Sequence, residues 1–206
     1  MYRYVSYYRA YDIAEVHMTD AVRLQSLSLS GRTVFSLGDL RRLWRLKPAT
    51  SQIAAKRMTD RGLLLRIARG YFALSPDYDP FELANLIISP SYVSLQSALD
   101  WHGASFQSRR AILSVARLNY SRKAAGLEFR YHAMKPALFF NLDGIRGAAS
   151  PAPALAGPER ALLDCLYFGI RPEIDDPDKI NPAEVRRLAP LYPASIAQKA
   201  REYLPR

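Results

Sequence analysis

Residues 34–74, VFSLGDLRRLWRLKPATSQIAAKRMTDRGLLLRIARGYFAL, contain the strongest local signals for the fold. Ser36 is a good helix N-cap, and Leu37, Leu40 and Leu43 follow it at helical spacing, which predicts a short helix. The segment 45–48 interrupts this pattern, because a residue before proline avoids the helical region while proline suits the first turn of a helix. The sequence therefore predicts two helices joined by a tight turn.

The second predicted helix, residues 49–61, has a narrow apolar stripe formed by Ile53, Ala54 and Met58. We expect the rest of its surface to face outward, with the residues Thr50, Ser51, Gln52, Ala55, Lys56 and Thr59. Short polar groups near a helix N-terminus, together with a cation, are suited to contacts with base edges and phosphates. This face therefore suits a DNA groove better than a protein core.

A basic β-hairpin is predicted directly after this helix. Gly62 stops the helix as a left-handed cap. The apolar residues of 63–67 alternate and predict a first strand, Arg69-Gly70 turns the chain, and residues 71–74 form a second strand. Helix, turn, helix, glycine stop and hairpin in this order predict a winged helix-turn-helix that binds DNA. The predicted DNA contacts are Arg42, Lys47, Thr50, Ser51, Gln52, Lys56, Arg66 and Arg69. The alternative is a protein–protein module with the same fold.

Charge is distributed unevenly along the 206 residues, which carry a formal net charge of +10. Residues 1–75 hold 13 Lys and Arg against 5 Asp and Glu, whereas residues 76–206 hold 16 against 14. An excess of cations in one segment is the electrostatic pattern of a nucleic-acid-binding domain joined to a domain with another role.

Composition also bears on the compartment. No apolar run approaches the roughly 18 residues that a membrane-spanning helix needs, and the polar N-terminus does not match a signal peptide. We therefore expect a cytoplasmic protein without a membrane partner. The single cysteine, Cys165, excludes an internal disulfide and a thiolate zinc cluster, and we expect it to be a small buried side chain.

We predict three segments and an α+β fold class. Residues 1–18 form a Tyr-rich extension, for which a packed helix and a basic arm that reaches DNA are both open. Residues 19–75 form the winged helix-turn-helix, and the turn-rich segment 75–80 marks a boundary. Residues 79–206 form a mixed α/β domain with a small sheet.

Within this last domain, the apolar patterns predict the following elements. The helices are 81–88, 94–103, 157–168, 182–188 and 194–203, and the strands are 111–116, 127–134, 138–140 and 145–149. A second basic cluster flanks the strand 111–116, and its members are Arg109, Arg110, Arg117, Arg122 and Lys123. This cluster either follows phosphates or meets an acidic partner, or it is a solvated surface.

Motifs for catalysis are not found in this sequence. Asp175, Asp176 and Asp178 lack the glycine and the distal glutamate of a calcium loop, and the three histidines lack partners at metal-ligand or general-base spacing. Phosphate-cradling and nucleophile-elbow motifs are also missing. We therefore expect no enzyme activity, no metal and no cofactor.

Five segments together resemble the AbiEi antitoxin family of type IV toxin-antitoxin and abortive-infection systems. They are FSLGDLRRL (35–43), RGLLLRIARGYFAL (61–74), SPSYVSLQSALDWHG (89–103), EFRYHAMKPALFF (128–140) and PERALLDCLYF (158–168). The resemblance covers roughly residues 33–168. It implies a winged helix that binds inverted repeats in double-stranded DNA upstream of its own operon and represses transcription.

The resemblance also implies a functional partner. The second domain would act as antitoxin against a nucleotidyltransferase-like toxin encoded nearby, without a stable complex between the two proteins. Binding to inverted repeats is open to a dimer in solution and to two monomers that meet on DNA. The alternatives to an antitoxin are a stand-alone winged-helix regulator and an adaptor that binds a protein or RNA through its second domain.

Overall fold

The computed structural model describes residues 18–106, 111–148 and 152–204. Within these ranges the chain forms nine α-helices and two β-sheets, which confirms the predicted α+β class. The predictions for residues 1–17 of the Tyr-rich extension, and for Arg109 and Arg110, lie outside the described residues. No helix in the described ranges is long and apolar enough to cross a bilayer.

The N-terminal module consists of three helices and a three-stranded antiparallel sheet. Its elements are α1 (Asp20–Ser28), β1 (Val34–Ser36), α2 (Leu37–Leu43), α3 (Pro48–Asp60), β2 (Leu65–Ala68) and β3 (Tyr71–Ala73). The strand order is β1-β3-β2, with Phe35 opposite Phe72. A hydrophobic core lies between the sheet and the helices, and Trp44, Leu40 and Met58 are completely or almost completely buried in it.

Local signals in the sequence account for the boundaries of α2. The Ser36 hydroxyl accepts a hydrogen bond from the Asp39 backbone N–H, and the Asp39 carboxylate accepts one from the Ser36 N–H at 2.8 Å, so the two residues form a capping box. The chain turns after Trp44, where Arg45 has a left-handed backbone with φ of 52°. Pro48 then occupies the first position of α3, as predicted.

The second module is a mixed sheet with helices packed against it. Its helices are α4 (Pro80–Ile87), α5 (Leu95–Trp101), α6 (Pro136–Phe139), α7 (Pro158–Tyr167), α8 (Pro182–Leu188) and α9 (Ala194–Ala200). Its strands are β4 (Ser91–Val93), β5 (Ala111–Ala116), β6 (Tyr120–Ala124), β7 (Leu127–Ala133), β8 (Ile145–Arg146) and β9 (Leu155–Ala156). The order β6-β7-β5-β4-β9-β8 places β5 at the centre, parallel to β7 and antiparallel to β4.

Several predicted strands differ from the structure. Residues 138–140 were predicted as a strand, but Leu138 and Phe139 lie in α6, which begins at Pro136. Both side chains are buried and Phe140 is exposed, an arrangement that a helical turn permits and a strand's alternation does not. The strand predicted at 145–149 is limited to Ile145–Arg146. The short strand β4 and the polar edge strand β6 have no strong apolar alternation and were not predicted.

A fully buried ion pair anchors α7 to the rest of the second module. The guanidinium of Arg160 and the carboxylate of Asp164 are both inaccessible to solvent, with Nε and Oδ1 3.2 Å apart. Asp164 also accepts hydrogen bonds from the hydroxyls of Tyr92, Ser94 and Tyr192, at 3.1, 2.7 and 2.6 Å. Burial raises the pKa of Asp164, although the Arg160 charge and these hydroxyls act in the opposite direction.

The remaining donors of Arg160 point to the Tyr92 hydroxyl, at 3.1 Å, and to three backbone carbonyl oxygens. The carbonyl acceptors are Asn141, Asp143 and Leu138, at 3.2, 3.1 and 3.0 Å. The network therefore joins α7 to the loop after α6 and to the β4–α5 junction. Because every charged atom in it has a hydrogen-bond partner, the cost of burying the pair is offset.

The two modules contact each other through named hydrogen bonds. The Thr33 hydroxyl accepts a bond of 2.8 Å from the backbone N–H of Asp79, and the Tyr71 hydroxyl donates to the carbonyl of Leu86 at 3.3 Å. The guanidinium of Arg122 on β6 lies over the Tyr71 ring, 5.5 Å from its centroid. The β2–β3 hairpin is thus held against the second module from its β3 side.

Candidate nucleic-acid interface

Helix α3 packs on the N-terminal module through small side chains and one methionine. Its buried residues are Ser51, Ala54, Ala55 and Met58, which recur at the spacing of a helical stripe. The opposite side of α3 is exposed to solvent and includes Ala49, Gln52, Ile53 and Lys56. This side is the surface that α3 offers to a ligand.

The predicted faces of α3 were wrong at three positions. Ser51 was predicted to face outward, but it is 1% exposed, and its hydroxyl donates to the Pro48 carbonyl at 2.7 Å. Ala55 is also buried, whereas Ile53, which was predicted to be buried, is 68% exposed. The physical reason is side-chain size. Small residues at 51, 54 and 55 let α3 approach the core closely, and the larger isoleucine at 53 then lies on the exposed side of the helix. Ser51 is therefore no longer a candidate for DNA contact.

A groove lies between α3 and the β2–β3 hairpin, with a volume of about 410 Å³. It brings together four of the eight predicted contact residues, Gln52 and Lys56 from α3 with Arg66 and Arg69 from the hairpin. The apolar residues Leu37 and Phe72 also line it. A groove lined by three cations and by apolar side chains is thus built from elements that are separate in sequence.

The hairpin presents its two arginines at the edge of this groove. Gly70, with φ of 85°, allows the tight turn after Arg69, and a bulge lies between Arg66 and Ala68. Both arginine side chains are exposed, and neither forms an ion pair with another residue in the described ranges. Their charges are therefore available to an anionic ligand.

Other cations near α3 are held by carboxylates of the same module. Arg57 bonds to Asp20 at 2.9 Å, and Arg61 also pairs with Asp20. Burial raises the pKa of Asp20, but the hydrogen bond and charge of Arg57 and the charge of Arg61 outweigh it, and the net pKa is lowered. These pairs tie the C-terminal end of α3 to α1.

The predicted contacts outside the groove are Arg42, Lys47 and Thr50. Arg42 is exposed on α2 and pairs with the capping-box carboxylate of Asp39. Lys47 and Thr50 are exposed at the N-terminal end of α3, where Lys47 is the N-cap residue and makes no side-chain capping bond. This end of the helix is therefore open to solvent, with one cation beside it.

The groove also contains residues that were not among the predicted contacts, Thr59 and Asp60. The Asp60 carboxylate accepts a bond of 2.6 Å from Lys56 Nζ, one helical turn away. The spacing of four residues between a cation and a carboxylate was the available signal for this pair. Because both groups are exposed, the pair is weak and Lys56 remains free to change partner.

In the second basic cluster, Arg117 and Arg122 have local partners. Arg117 donates to the Met134 carbonyl at 2.5 Å and lies over Phe140, and Arg122 lies over Tyr71. Lys123 lies opposite Glu128 in the β6–β7 register. Arg122 and Lys123 follow β5 in sequence, as predicted, and lie within β6, a strand that was not predicted. That this cluster binds phosphates stays a prediction.

The described part of the chain contains no group of three or more His, Cys, Asp or Glu residues arranged to hold a metal ion. No protein-family model matches this chain, and no curated protein matches it with significance. The site is therefore interpreted from its own geometry, in which one exposed helix face and one basic hairpin border the same groove.

Proposed function

We propose that this protein is a sequence-specific DNA-binding transcriptional regulator, in which α2, α3 and the β2–β3 hairpin form a winged helix-turn-helix. The observation that carries the proposal is the groove that joins Gln52 and Lys56 of α3 to Arg66 and Arg69 of the hairpin. A helix of 13 residues is about 20 Å long. With its side chains an α-helix is about 10–12 Å in diameter, so it fits the major groove of B-DNA, which is about 12 Å wide.

In this proposal α3 is the recognition helix and the hairpin is the wing. Gln52 presents an amide that can pair with an adenine edge, and Lys56 reaches a base or a phosphate. Arg66 and Arg69 contact the sugar–phosphate backbone beside the helix, where their charges replace condensed counterions. Thr50 and Lys47 are exposed at the start of α3 and add phosphate contacts there.

The test is fluorescence anisotropy with labelled duplex DNA from upstream of the gene, measured against a scrambled duplex at two salt concentrations. We expect tighter binding to the native duplex, with a preference that persists at the higher salt. Equal affinity for both duplexes that collapses with salt would overturn the proposal, because it would mean that the positive charge attracts any polyanion.

We also propose, from the resemblance of five segments to AbiEi antitoxins, that the protein represses its own operon and acts as the antitoxin of a type IV system. Three of those segments lie in the second module, and they contribute Tyr92, Ser94, Leu138, Arg160 and Asp164 to one buried network. The resemblance thus coincides with residues that hold this module together.

Gene context and toxin rescue test the antitoxin role. A neighbouring nucleotidyltransferase-like gene whose expression stops growth, and growth restored by this protein, would support it. An isolated gene, or a neighbouring toxin that this protein does not counteract, would leave a stand-alone regulator.

A further inference from the structure

Ile53 lies near the middle of the outward face of α3. Ala49, Lys56 and Asp60 share that face at helical spacing, and the Ile53 side chain is 68% exposed and belongs to neither hydrophobic core. It is the one large aliphatic residue on the exposed side of α3, since the other apolar residues of this helix are Pro48 at its first position, three alanines and the buried Met58.

Helix stability does not account for an isoleucine at this position. A β-branched side chain loses rotamer freedom in a helix and is less favourable there than alanine or leucine. Because 68% of its surface is exposed to water, it also gains little from burial in the free protein. A surface that covers this side chain would provide the burial that the free protein largely lacks.

The proposed function supplies such a surface, and this inference rests on it. The outward face of α3 is the face that enters the major groove, and the apolar group displayed there is the C5 methyl of thymine. Ala49, one turn before Ile53, has a small side chain and allows the helix to approach the base edges closely.

We propose that Ile53 is a specificity-determining residue that contacts the C5 methyl group of a thymine. Gln52 lines the groove beside the hairpin and Ile53 does not, so these neighbours contact different base pairs. Ile53 thus reads a position by apolar contact, while Gln52 reads another by hydrogen bonds.

The experiment removes single thymine methyl groups from the DNA. A tight-binding duplex is selected from a random library with the full-length protein, and each thymine in it is replaced in turn by deoxyuridine, which lacks only the methyl. Dissociation constants are measured by anisotropy for the wild type, Ile53→Ala and Ile53→Val. Leu29→Ala is the matched control, because Leu29 is 80% exposed and lies at the end of α1.

At one thymine, we expect the wild type to lose about fourfold in affinity on replacement by deoxyuridine, the factor for burying one methyl group. Ile53→Ala should bind the thymine and deoxyuridine duplexes equally, and Ile53→Val should retain most of the difference. Leu29→Ala should behave as the wild type. Unchanged melting temperatures of the variants show that folding is not the cause.

Two further outcomes separate this inference from the proposed function. A specific duplex in which no thymine methyl matters, or a methyl effect that Ile53→Ala retains, would overturn the role of Ile53 and leave DNA recognition standing. Failure of the library to yield any preferred duplex would overturn the proposed function, and the role of Ile53 with it.

Discussion

The carboxylate of Glu82, on the first helix of the second module, accepts a hydrogen bond of 2.8 Å from the backbone N–H of Val34 in the N-terminal module. The same oxygen accepts a second bond of 2.8 Å from the N–H of Thr33, and Glu82 is only 7% exposed. One buried carboxylate thus satisfies two backbone donors at the start of β1. The N-terminal sheet is therefore fastened to the second module at the start of β1, the strand that pairs with β3 of the proposed wing.

Glu82→Ala should destabilise the protein by about 2–4 kcal/mol, because it leaves two backbone donors near the module junction without acceptors. Chemical denaturation monitored by circular dichroism measures this. Glu202→Ala, at an exposed position near the end of the chain, is the control and should change the free energy of unfolding by less than about 0.5 kcal/mol. A loss below 1 kcal/mol for Glu82→Ala would show that water replaces the carboxylate without cost.

Arg69→Ala should weaken binding to all DNA sequences alike and lower the slope of log affinity against log salt by about one unit. The reason is the loss of one phosphate contact, since Arg69 lies at the tip of the hairpin beside the groove. Titrations at several salt concentrations measure the slope. Arg171→Ala removes the same charge from an exposed loop of the second module and should leave the slope unchanged. An unaltered slope for Arg69→Ala would exclude the hairpin from the interface.

The neighbours Ser51 and Gln52 should behave differently when each is replaced by alanine. Gln52→Ala should alter base preference at one position by about 1–3 kcal/mol, since Gln52 faces the groove. Ser51→Ala should leave base preference unchanged and alter stability by about 1 kcal/mol or less, because the buried hydroxyl bonds only within its own helix. Competition binding against single-base variants of the selected duplex distinguishes the two. A change of specificity in Ser51→Ala would contradict the orientation of α3.

Asp39 should make the free energy of unfolding depend on pH in the acidic range. Burial raises the pKa of this carboxyl, but the Ser36 hydrogen bonds and the charges of Arg32 and Arg42 outweigh it, so the net pKa lies below the ordinary value of 3.8. The folded protein therefore binds fewer protons here than the unfolded chain. Its stabilisation is present above about pH 4 and is lost as the pH falls through the lowered pKa.

Asp39→Asn should lower the free energy of unfolding at pH 7 by about 1–3 kcal/mol, because it weakens the capping box and removes both ion pairs. It should also flatten the fall in stability below about pH 4. Urea denaturation at a series of pH values measures both effects. Asp77→Asn, in the exposed segment between the modules, should not lower stability at pH 7. Parallel pH curves for wild type and Asp39→Asn would contradict this account.

Removal of only one member of the Arg160–Asp164 ion pair should strongly destabilise the protein. Asp164→Ala leaves a buried guanidinium without its counter-ion, and we expect a loss of about 3–5 kcal/mol. The double variant Arg160→Met with Asp164→Leu should lose much less than the sum of the single changes, since it removes both charges. Tyr192→Phe removes one hydrogen bond to Asp164 and should cost about 1–2 kcal/mol. Additive effects of the two charge removals would show that the pair is not coupled.

Those features of the N-terminal module that depend on neighbouring residues could be predicted from the amino-acid sequence. Ser36 caps α2, Pro48 opens α3, and Gly62, with φ of 69°, ends it, as predicted from residue type alone. A cap or a left-handed glycine acts within about one helical turn, so its signal is contained in a few adjacent letters. The helix 158–167 was also predicted from local signals, which are Pro158 at its start and a broad apolar face at helical spacing.

The buried side of α3 and the hydrogen-bond network around Asp164 in the second module could not be predicted from local sequence. The faces of Ser51 and Ile53 depend on how closely α3 can approach the core, which is a matter of side-chain volume across elements rather than of apolar spacing. The hydrogen bonds from Tyr92, Ser94 and Tyr192 to Asp164 join positions 28 to 72 residues apart, and no local sequence pattern predicts them. Contacts made between distant segments are specified by packing of the whole chain, because each one exists only when the others are in place.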